Sequence, residues 1–366
     1  MTIGCVIEAK RKKLYPIVFK PNPKKLVWGT EEWTVSTVPG NESEIENGTW
    51  ARYKLSEVIS QLPEAILGRS VYAKYQKEYK SFISPHPSHN VADEQSYLHT
   101  IGLPLLTKII DAHDDLSIQV HPNDDMARRE HGKLGKSEMW YILDAEPGAC
   151  LYAGFKEHIN PDEFKRLIAE SQTGQSDITS VLARHEVHKG DVFYLPAGRV
   201  HAICGGIKLA EVQQSSDVTY RIYDYNRPGL DGKPRELHTE LAAQAIDYDV
   251  YPEYRTLHHE QKDSLDRVLD TPYFSVRVLD VSEPFHRNLL KYDSFVIVMC
   301  FEGDCHIHVR SSNDDVLLPE GQSCLIPAAI ADYDIIPAHG STKVLETFIN
   351  NRKSIGKLVS DFFHMQ

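Results

Sequence analysis

Hydrophobic residues along the chain recur at two spacings, one typical of helices and one typical of strands. Between residues 51 and 68, apolar side chains recur at helical spacing from Leu55 to Leu62, and Pro63 is expected to break or kink the helix. A second helix is predicted after Asn160, because this cap residue is followed by proline and has Glu163 three positions on. A short helix is expected to start at Asp177.

Most of the remaining chain predicts strands. Val, Ile, Tyr and Phe are concentrated in stretches that Pro-Gly, Glu-Gly and Asn-Asp turns interrupt. These stretches cover residues 103–120, 138–155, 192–222 and most of 273–349. The chain is therefore expected to be mainly β.

Two pairs of segments indicate an internal repeat. Residues 138–148 resemble 293–303, and residues 190–196 resemble 321–327. The paired segments start 52 residues apart in the first copy and 28 apart in the second, and the 24-residue difference is about the length of the helical stretch after Asn160. We interpret that stretch, about residues 157–186, as an insertion into the first of two related β-domains. The predicted domains are residues 1–249 and 250–366.

Composition narrows the classes of partner. The 366 residues include 40 basic and 52 acidic side chains, a net charge of −12, and 41% are hydrophobic, which is typical of a globular protein. The acidic balance argues against nucleic acid or an anionic membrane as partner, although a small phosphorylated ligand needs only a few local cations.

Location is predicted from the segments that the chain lacks. The longest apolar run, residues 295–301, is only long enough for a strand, and the basic cluster at 10–13 adjoins no apolar stretch that would form a secretion signal. The six cysteines, Cys5 among them, show no Cys-x-x-Cys spacing. We interpret them as reduced residues of a cytoplasmic protein.

Four polar side chains from three segments form a candidate metal site. The run Gly190-Asp-Val-Phe-Tyr-Leu-Pro-Ala-Gly-Arg-Val-His201 matches the second signature of the cupin β-barrel, in which the histidine points into the barrel mouth. Gln119 and His121 are two residues apart, so on a strand they share a face, and Lys136 and Glu138 have the same spacing. Two imidazoles, a carboxylate and an amide are a suitable ligand set for a divalent metal.

The segment 211–221 carries polar residues at every odd position. On a continuous strand Glu211, Asp217 and Arg221 would share one face with two hydroxyl groups and an amide. Charges on such a face need partners, and a metal site with an anionic, hydroxyl-rich ligand would supply them.

Three motifs together resemble type I mannose-6-phosphate isomerase, in particular its short bacterial form. They are Ser117-Ile-Gln-Val-His-Pro, Gly135-Lys-Ser-Glu-Met-Trp-Tyr, and His201 followed by Glu211-Val-Gln-Gln-Ser-Ser-Asp-Val-Thr-Tyr-Arg221. The resemblance covers nearly the whole chain, starting at Trp28-Gly29. It implies two cupin-like jelly-roll β-barrels, the first catalytic and the second degenerate and metal-free.

The resemblance also implies roles for particular residues. Gln119, His121, Glu138 and His201 resemble the ligands of one Zn²⁺ per chain in the first barrel. Lys136, Arg221 and Asp217 match active-site residues of the family, and Glu211, Arg221 and Lys136 are the expected contacts of a small phosphohexose substrate. Oligomeric state is left open.

The implied reaction is the interconversion of mannose-6-phosphate and fructose-6-phosphate. A proton moves between C2 and C1 through a cis-enediol, so the site needs a base at carbon and electrophiles at the developing oxygens. A Zn²⁺ ion would act as a Lewis acid or orient the substrate. Asp217, Lys136 and His121 all remain candidates for the base.

The same residues are compatible with two other functions. His121, His201 and Glu138 are also the facial triad of an Fe(II) oxygenase, and a non-catalytic sugar-phosphate-binding cupin would keep the same barrel.

The second copy contains another pair of potential metal ligands. His306-x-His308 has the spacing of paired metal ligands, but it follows the turn glycine, where the first copy has Cys150 and Tyr152. The second copy also has Ala329 and Asp332 where Gly198 and His201 stand in the first, so we expect no metal there.

Overall fold

A computed structural model describes residues 14–82 and 102–351, with side chains described except at 79–82. The basic cluster at 10–13 and Cys5 lie outside these ranges. The described chain divides into two compact units. We call residues 23–32 and 107–256 the central unit, and residues 14–22, 33–82, 102–106 and 257–351 the terminal unit.

The described residues form a mainly β fold. The strands are β1 (Ile17–Val18), β2 (Pro23–Leu26), β3 (Gly29–Val35), β4 (Leu105–Ala112), β5 (Ile118–Val120), β6 (Glu138–Ala145), β7 (Cys150–Phe155), β8 (Leu182–Glu186), β9 (Val192–Leu195), β10 (His201–Ile203), β11 (Ile207–Gln214), β12 (Tyr220–Tyr223), β13 (Ser264–Asp270), β14 (Ser275–Val281), β15 (Phe285–Asn288), β16 (Val296–Glu302), β17 (Cys305–Val309), β18 (Asp314–Leu318), β19 (Ser323–Ile326), β20 (Asp332–Pro337) and β21 (Thr342–Phe348). The α-helices are α1 (Leu55–Gln61), α2 (Pro63–Leu67), α3 (Arg69–Phe82), α4 (Asp124–His131), α5 (Pro161–Gln172) and α6 (Thr239–Ala245). No helix among the described residues is long and apolar enough to cross a membrane.

The predicted helices are confirmed, with small changes at their ends. The segment 51–68 forms α1 and α2, which are separated at Leu62 because Pro63 starts a new helix. At α5 the Asn160 side chain accepts from the Glu163 amide at 2.9 Å and the Glu163 carboxylate accepts from the Asn160 amide at 3.2 Å, which is the expected capping box. The segment after Asp177 is a single 3₁₀ turn, Ile178–Val181.

The central unit contains two sheets with a core between them. The first runs β2-β3-β4-β11-β6-β9 and the second runs β12-β5-β10-β7-β8. Their facing side chains share one hydrophobic cluster, in which Trp140 and Leu209 come from the first sheet and Leu151 and Ile203 from the second. The inner faces of these strands therefore hold both the core and, at one end, polar residues.

Helices cover the outer face of the five-stranded sheet in the central unit. Ile118, Ala202 and Ile222 alternate with the inward residues of their strands and pack with Phe164 of α5 and Ala242 of α6. Helices α5 and α6 thus bury a sheet face that would otherwise be apolar and exposed. This packing holds β5 and β10 in place, and these strands carry the candidate metal ligands.

The terminal unit also contains two sheets, ordered β1-β19-β16-β21-β14-β13 and β15-β20-β17-β18. Strand β1 belongs here because Ile17 and Val18 pair with Leu325 and Cys324. The Asp293 carboxylate accepts from the backbone amide of Arg69 at the start of α3. The N-terminal segment is thus grouped with the residues after 257, whereas the predicted division at 249/250 placed it with the first domain.

The internal repeat is visible in the strand pairing, but in a different register from the sequence match. Ile142 exchanges backbone hydrogen bonds with the turn at Gly190, and Cys300 does the same with the turn at Gly321. In both sheets the ladder skips one residue directly after this position. Counting from these fixed points, the counterpart of Glu138 is Val296, because these residues pair with Leu195 and Ile326. The sequence match of Glu138 with Asp293 was therefore off by three residues.

The terminal unit has a buried glutamate at the strand position that Glu211 occupies in the central unit. Glu346 pairs with Val298 as Glu211 pairs with Trp140, so the two glutamates are counterparts. Inside the unit the fully buried Glu346 carboxylate accepts hydrogen bonds from the Arg287 guanidinium, at 2.9 Å from Nε, and from the Tyr333 hydroxyl. Burial alone would lower the pKa of Arg287, but the hydrogen bond and charge of Glu346 raise it.

We expect Arg287→Met to destabilise the terminal unit by about 3–5 kcal/mol, because it leaves the Glu346 carboxylate buried without a counter-charge. The measurement is denaturant unfolding followed by a probe in that unit. Arg310→Met is the control, since Arg310 pairs with Asp334 in an exposed position and its loss should have a much smaller effect. Equal losses in the two variants would contradict the prediction.

Candidate metal centre

Three side chains of the central unit converge on one point inside the sheets. His201 opens β10 opposite Gln119 of β5, Glu138 opens β6, and His121 directly follows β5. The Nε2 atoms of His121 and His201 lie 3.4 and 3.3 Å from the two carboxylate oxygens of Glu138. One donor atom from each residue lies within 4.8 Å of the others, and all three residues are buried. No other group of this kind occurs in residues 14–82 and 102–351.

Backbone carbonyls orient both imidazoles. His121 Nδ1 lies 3.0 Å from the carbonyl oxygen of Val218, and His201 Nδ1 lies 2.8 Å from that of Arg199. A proton on each Nδ1 satisfies these carbonyls and leaves the Nε2 lone pairs directed at Glu138. Burial, reinforced by the Lys136 ammonium, lowers the pKa of His121 to about 3, and burial also lowers that of His201. Both rings are therefore neutral at pH 7, the form that binds metal.

Glu138 supplies a negative charge that needs a cation. Its side chain has no exposed surface, and Oε1 accepts no hydrogen bond from any residue in the described ranges. Burial would raise its pKa, but the neighbouring Lys136 and His121 hold it well below its usual range. A buried carboxylate with an unsatisfied oxygen, beside two neutral Nε2 atoms, fits a bound divalent metal ion.

Gln119 and Lys136 lie directly beside the triad. The Gln119 amide nitrogen is 3.3 Å from His201 Nε2, and rotation of the amide by 180° would present its oxygen there instead. The buried Lys136 ammonium lies 2.8 Å from His121 Nε2 and also donates to Glu138 Oε2. All four predicted ligands and the predicted lysine are thus brought together.

A cavity of about 150 Å³ opens beside this cluster and is rich in charge. Four cations contribute to its walls, namely Lys108, Lys136, Arg221 and Arg235. Two carboxylates, Glu31 and Glu211, and the polar side chains of Ser117, Gln119 and Thr219 complete its polar lining, while Trp28, Leu26, Ile110, Leu116 and Ile203 supply the apolar part. Such a lining suits a polyhydroxylated anion.

Glu211 and Arg221 lie where the sequence placed them, but Asp217 does not. Glu211 is buried and accepts from Lys108 Nζ at 2.8 Å and from Trp140 Nε1 at 3.1 Å. Asp217 does not line the cavity; it is partly exposed and pairs with Lys133 at 2.6 Å. The alternation argument failed there because β11 ends at Gln214 and the chain is irregular until β12 begins.

Lys108, Arg235 and Glu31 were not predicted from the sequence. The signal for Lys108 was present, since a single lysine inside the apolar strand Leu105–Ala112 needs a buried partner. Burial would lower the pKa of Lys108, but the charges of Glu211 and Glu31 raise it, so this lysine is a fixed cation. Arg235 lies in a loop with no periodicity to reveal its direction.

The His306-x-His308 pair forms no comparable site. Both rings lie near the single carboxylate of Asp315, at 2.6 Å for His306 and 3.8 Å for His308. No third ligand joins them within the described part of the chain.

Fold and site together define a β-sheet protein with a candidate metal centre beside a cationic cavity, and comparisons with known proteins identify its family. The model "Phosphomannose isomerase type I, catalytic domain" matches residues 67–148, and "Mannose-6-phosphate isomerase, cupin domain" matches residues 266–344. The chain is 32% identical over 331 residues to mannose-6-phosphate isomerase ManA of Bacillus subtilis, covering 84% of this chain and 93% of the relative. It is 30% identical over 321 residues to mannose-6-phosphate isomerase of Streptococcus mutans, covering 85% and 88%.

A solved structure agrees with these relatives. The crystal structure of mannose 6-phosphate isomerase from Bacillus subtilis matches with a TM-score of 0.72 and 27% identity, over 91% of this chain and 99% of that one. The chain belongs to the type I phosphomannose isomerase family.

Glu138→Gln is expected to lose bound metal, because the amide removes the negative charge that two neutral imidazoles cannot replace. Metal content after dialysis, measured by atomic emission, should fall from about one ion per chain to near zero. Glu130→Gln on the surface of α4 serves as the control and should retain the ion. Full retention of metal by Glu138→Gln would contradict this assignment.

Proposed function

We propose that the protein interconverts mannose-6-phosphate and fructose-6-phosphate. The observation that carries the proposal is the cationic, polar cavity directly beside the His121–Glu138–His201 cluster, in a chain of this family. A phosphohexose offers hydroxyl groups and a phosphate, which match the hydrogen-bonding and cationic side chains of the walls. The reaction shifts a proton between C2 and C1 through a cis-enediol.

The proposed cofactor is one Zn²⁺ ion held by Gln119, His121, Glu138 and His201. Two imidazoles, one carboxylate and one amide oxygen are nitrogen and oxygen donors of the kind that Zn²⁺ accepts. When bound, the ion would polarise substrate oxygens as a Lewis acid. The identity of the metal rests on this donor set and on the family resemblance.

The remaining roles belong to cavity side chains. Lys136 is positioned to donate a proton to, or stabilise negative charge on, the oxygens of the enediolate. Hydrogen bonds from Lys108 and Trp140 orient the Glu211 carboxylate, so that it accepts from substrate hydroxyls or takes the carbon-bound proton. Arg221 binds an anionic oxygen of the substrate.

The geometry of the site removes two of the three residues that the sequence analysis kept as candidates for the carbon base. His121 directs its Nε2 lone pair at the metal centre, and Asp217 lies outside the cavity lining. Among the lysines and carboxylates that line the cavity without a proposed metal bond, Lys136 contacts the proposed ligand His121, and Glu211 is the more buried of the two carboxylates. We propose that the proton relay uses this pair.

We also propose that each pair of sheets is a cupin-type barrel and that the barrel of the terminal unit is metal-free. This is supported by the shared bulge after Ile142 and Cys300 and by the position of Val296 as the counterpart of Glu138. The division at 249/250, the cytoplasmic location and the absence of a nucleic acid or membrane partner stay predictions.

An Fe(II) oxygenase is the alternative chemistry for two histidines and a carboxylate. The Gln119 amide would fill a position that an oxygenase leaves open for oxygen and substrate. The Lys136 ammonium beside the ligands suits the stabilisation of anionic oxygens rather than oxygen activation. A non-catalytic sugar-phosphate-binding protein would bind the same ligands without turnover.

The deciding measurement is the conversion of mannose-6-phosphate to fructose-6-phosphate by chelator-treated protein, before and after Zn²⁺ is restored. Turnover should be lost with the metal and regained with it. If no turnover occurs with zinc demonstrably bound, the isomerase proposal is wrong. Aerobic turnover that requires Fe(II) would then support the oxygenase, and sugar-phosphate binding without turnover would support the binding protein.

Lys136→Ala should retain the metal and lose turnover by about 10²-fold or more, the usual contribution of a positioned proton donor. Metal content and kcat are measured on the same sample. Lys133→Ala is the matched control, because this lysine pairs with Asp217 at the surface and should leave kcat unchanged. A near-normal rate in Lys136→Ala would overturn its role.

A further inference from the structure

A single buried carboxylate binds two arginines beside the cavity, and a third arginine lies near them. Asp224 directly follows β12 and only 5% of its side chain is exposed. Arg235 contacts both of its oxygens, Nε at 2.6 Å and Nη2 at 2.5 Å, and Arg227 contacts Oδ1 through Nε at 3.2 Å and Nη2 at 3.1 Å. Arg221 lies close enough for the charges of Arg235, Asp224 and Arg227 to affect its pKa.

The group has more positive charge than Asp224 can balance. Three guanidinium groups face this one buried carboxylate, and the other acidic groups near them are Glu236, beside Arg221, and the exposed Asp114, 3.5 Å from Arg227 Nη1. Burial, followed by the charge of Arg235, lowers the pKa of Arg221. Of the three, Arg221 and Arg235 line the cavity, and a phosphate monoester, with about two negative charges at pH 7, matches these two cations.

Unused donor capacity points to the same place. Arg221 Nη1 donates to the backbone oxygen of Glu236 at 2.9 Å, but its Nε is buried and has no partner among the described residues. Arg221 and Arg235 both line the cavity, together with the hydroxyl groups of Ser117 and Thr219. The cations therefore face the space that the substrate would occupy.

We propose that Asp224 is a positioning residue that holds Arg235 at the cavity wall, where Arg235 and Arg221 bind the phosphate group of the substrate. This inference rests on the proposed function for the identity of the substrate. Asp224 itself touches no substrate; it acts by fixing the plane of the Arg235 guanidinium, which binds a phosphate through two parallel hydrogen bonds.

The loop that carries Arg235 explains why an anchor is needed. Residues 225–236 leave β12 through Tyr225 and Asn226, both at positive φ, and return through a bridge between Pro228 and Pro234. The exposed Leu230 near its tip contributes little packing. Since Arg227 and Arg235 lie on opposite arms of the loop and both bind Asp224, this one carboxylate closes the loop and sets the direction of Arg235.

The test compares Asp224→Asn and Arg235→Gln with the unmodified protein in the mannose-6-phosphate assay. We expect KM for mannose-6-phosphate to rise about tenfold or more in both variants, the usual effect of losing a charge-assisted hydrogen bond, with kcat within about threefold. The constant for competitive inhibition by inorganic phosphate should rise by a similar factor. Asp224→Glu keeps the charge and should recover part of the loss.

A matched control exists in the terminal unit. Asp270 is also buried, 6% exposed, between two arginines, with Arg277 Nη2 at 2.8 Å and Arg267 Nε at 3.2 Å. Asp270→Asn should cost comparable stability and leave KM and phosphate inhibition unchanged. If Asp270→Asn raises KM as much as Asp224→Asn, or if Asp224→Asn leaves KM unchanged, the proposal is wrong.

Direct calorimetric titration with inorganic phosphate separates this inference from the proposed function. If the unmodified zinc-loaded protein binds phosphate, and Asp224→Asn and Arg235→Gln both weaken binding, the positioning role holds even when no isomerase activity is found. If the protein isomerises mannose-6-phosphate but these variants bind phosphate normally, the isomerase proposal stands and this inference fails. Should Asp224→Asn not fold, Arg235→Gln decides by the same criteria.

Discussion

The central constraint in this protein is a fully buried carboxylate, Glu138, in the interior of a β-sheet core. An ionised group in that position is costly unless cations and donors surround it. The chain supplies Lys136 as a cation, and the backbone carbonyls of Val218 and Arg199 direct the Nε2 atoms of two neutral imidazoles to the same point, where a bound metal ion would add positive charge. Much of the surrounding architecture serves this arrangement, including the helices that pack behind β5 and β10.

Further charged residues line the cavity beside Glu138. Lys108 and Glu211 form a buried pair in the cavity wall, where neither has to be neutralised by the ligand. Arg221 and Arg235 also line the cavity, and the nearby carboxylates of Asp224 and Glu236 balance them only in part because Arg227 shares Asp224, so their field acts on a ligand that enters. The cavity thus combines groups whose charges cancel internally with groups whose charges do not, and only the second kind selects for an anion.

Local patterns in the sequence predicted α1, α2 and α5, the strand-rich segments and the residues that converge at the candidate metal site, because each depends on spacing within a few residues. Gln119 with His121 and Lys136 with Glu138 needed only the two-residue period of a strand. Asp217 failed for the same reason, since a period has meaning only while the strand continues, and β11 ends at Gln214. Lys108 and Arg235 reach the cavity through tertiary packing and a long loop, and no spacing rule connects them with Glu138. The pairing of Ile17 with Leu325 joins segments that are far apart in the chain, so no local sequence pattern predicts it either.

The buried Arg287–Glu346 pair gives the two halves of the molecule different dependence on their surroundings. Around Glu346 the compensating charge belongs to Arg287, which is part of the polypeptide. It is therefore present at every concentration of free metal. Around Glu138 the polypeptide supplies Lys136, and the proposed metal ion would add further positive charge. Loss of that ion would change the charge balance inside the central unit, whereas around Glu346 the charge balance would stay the same.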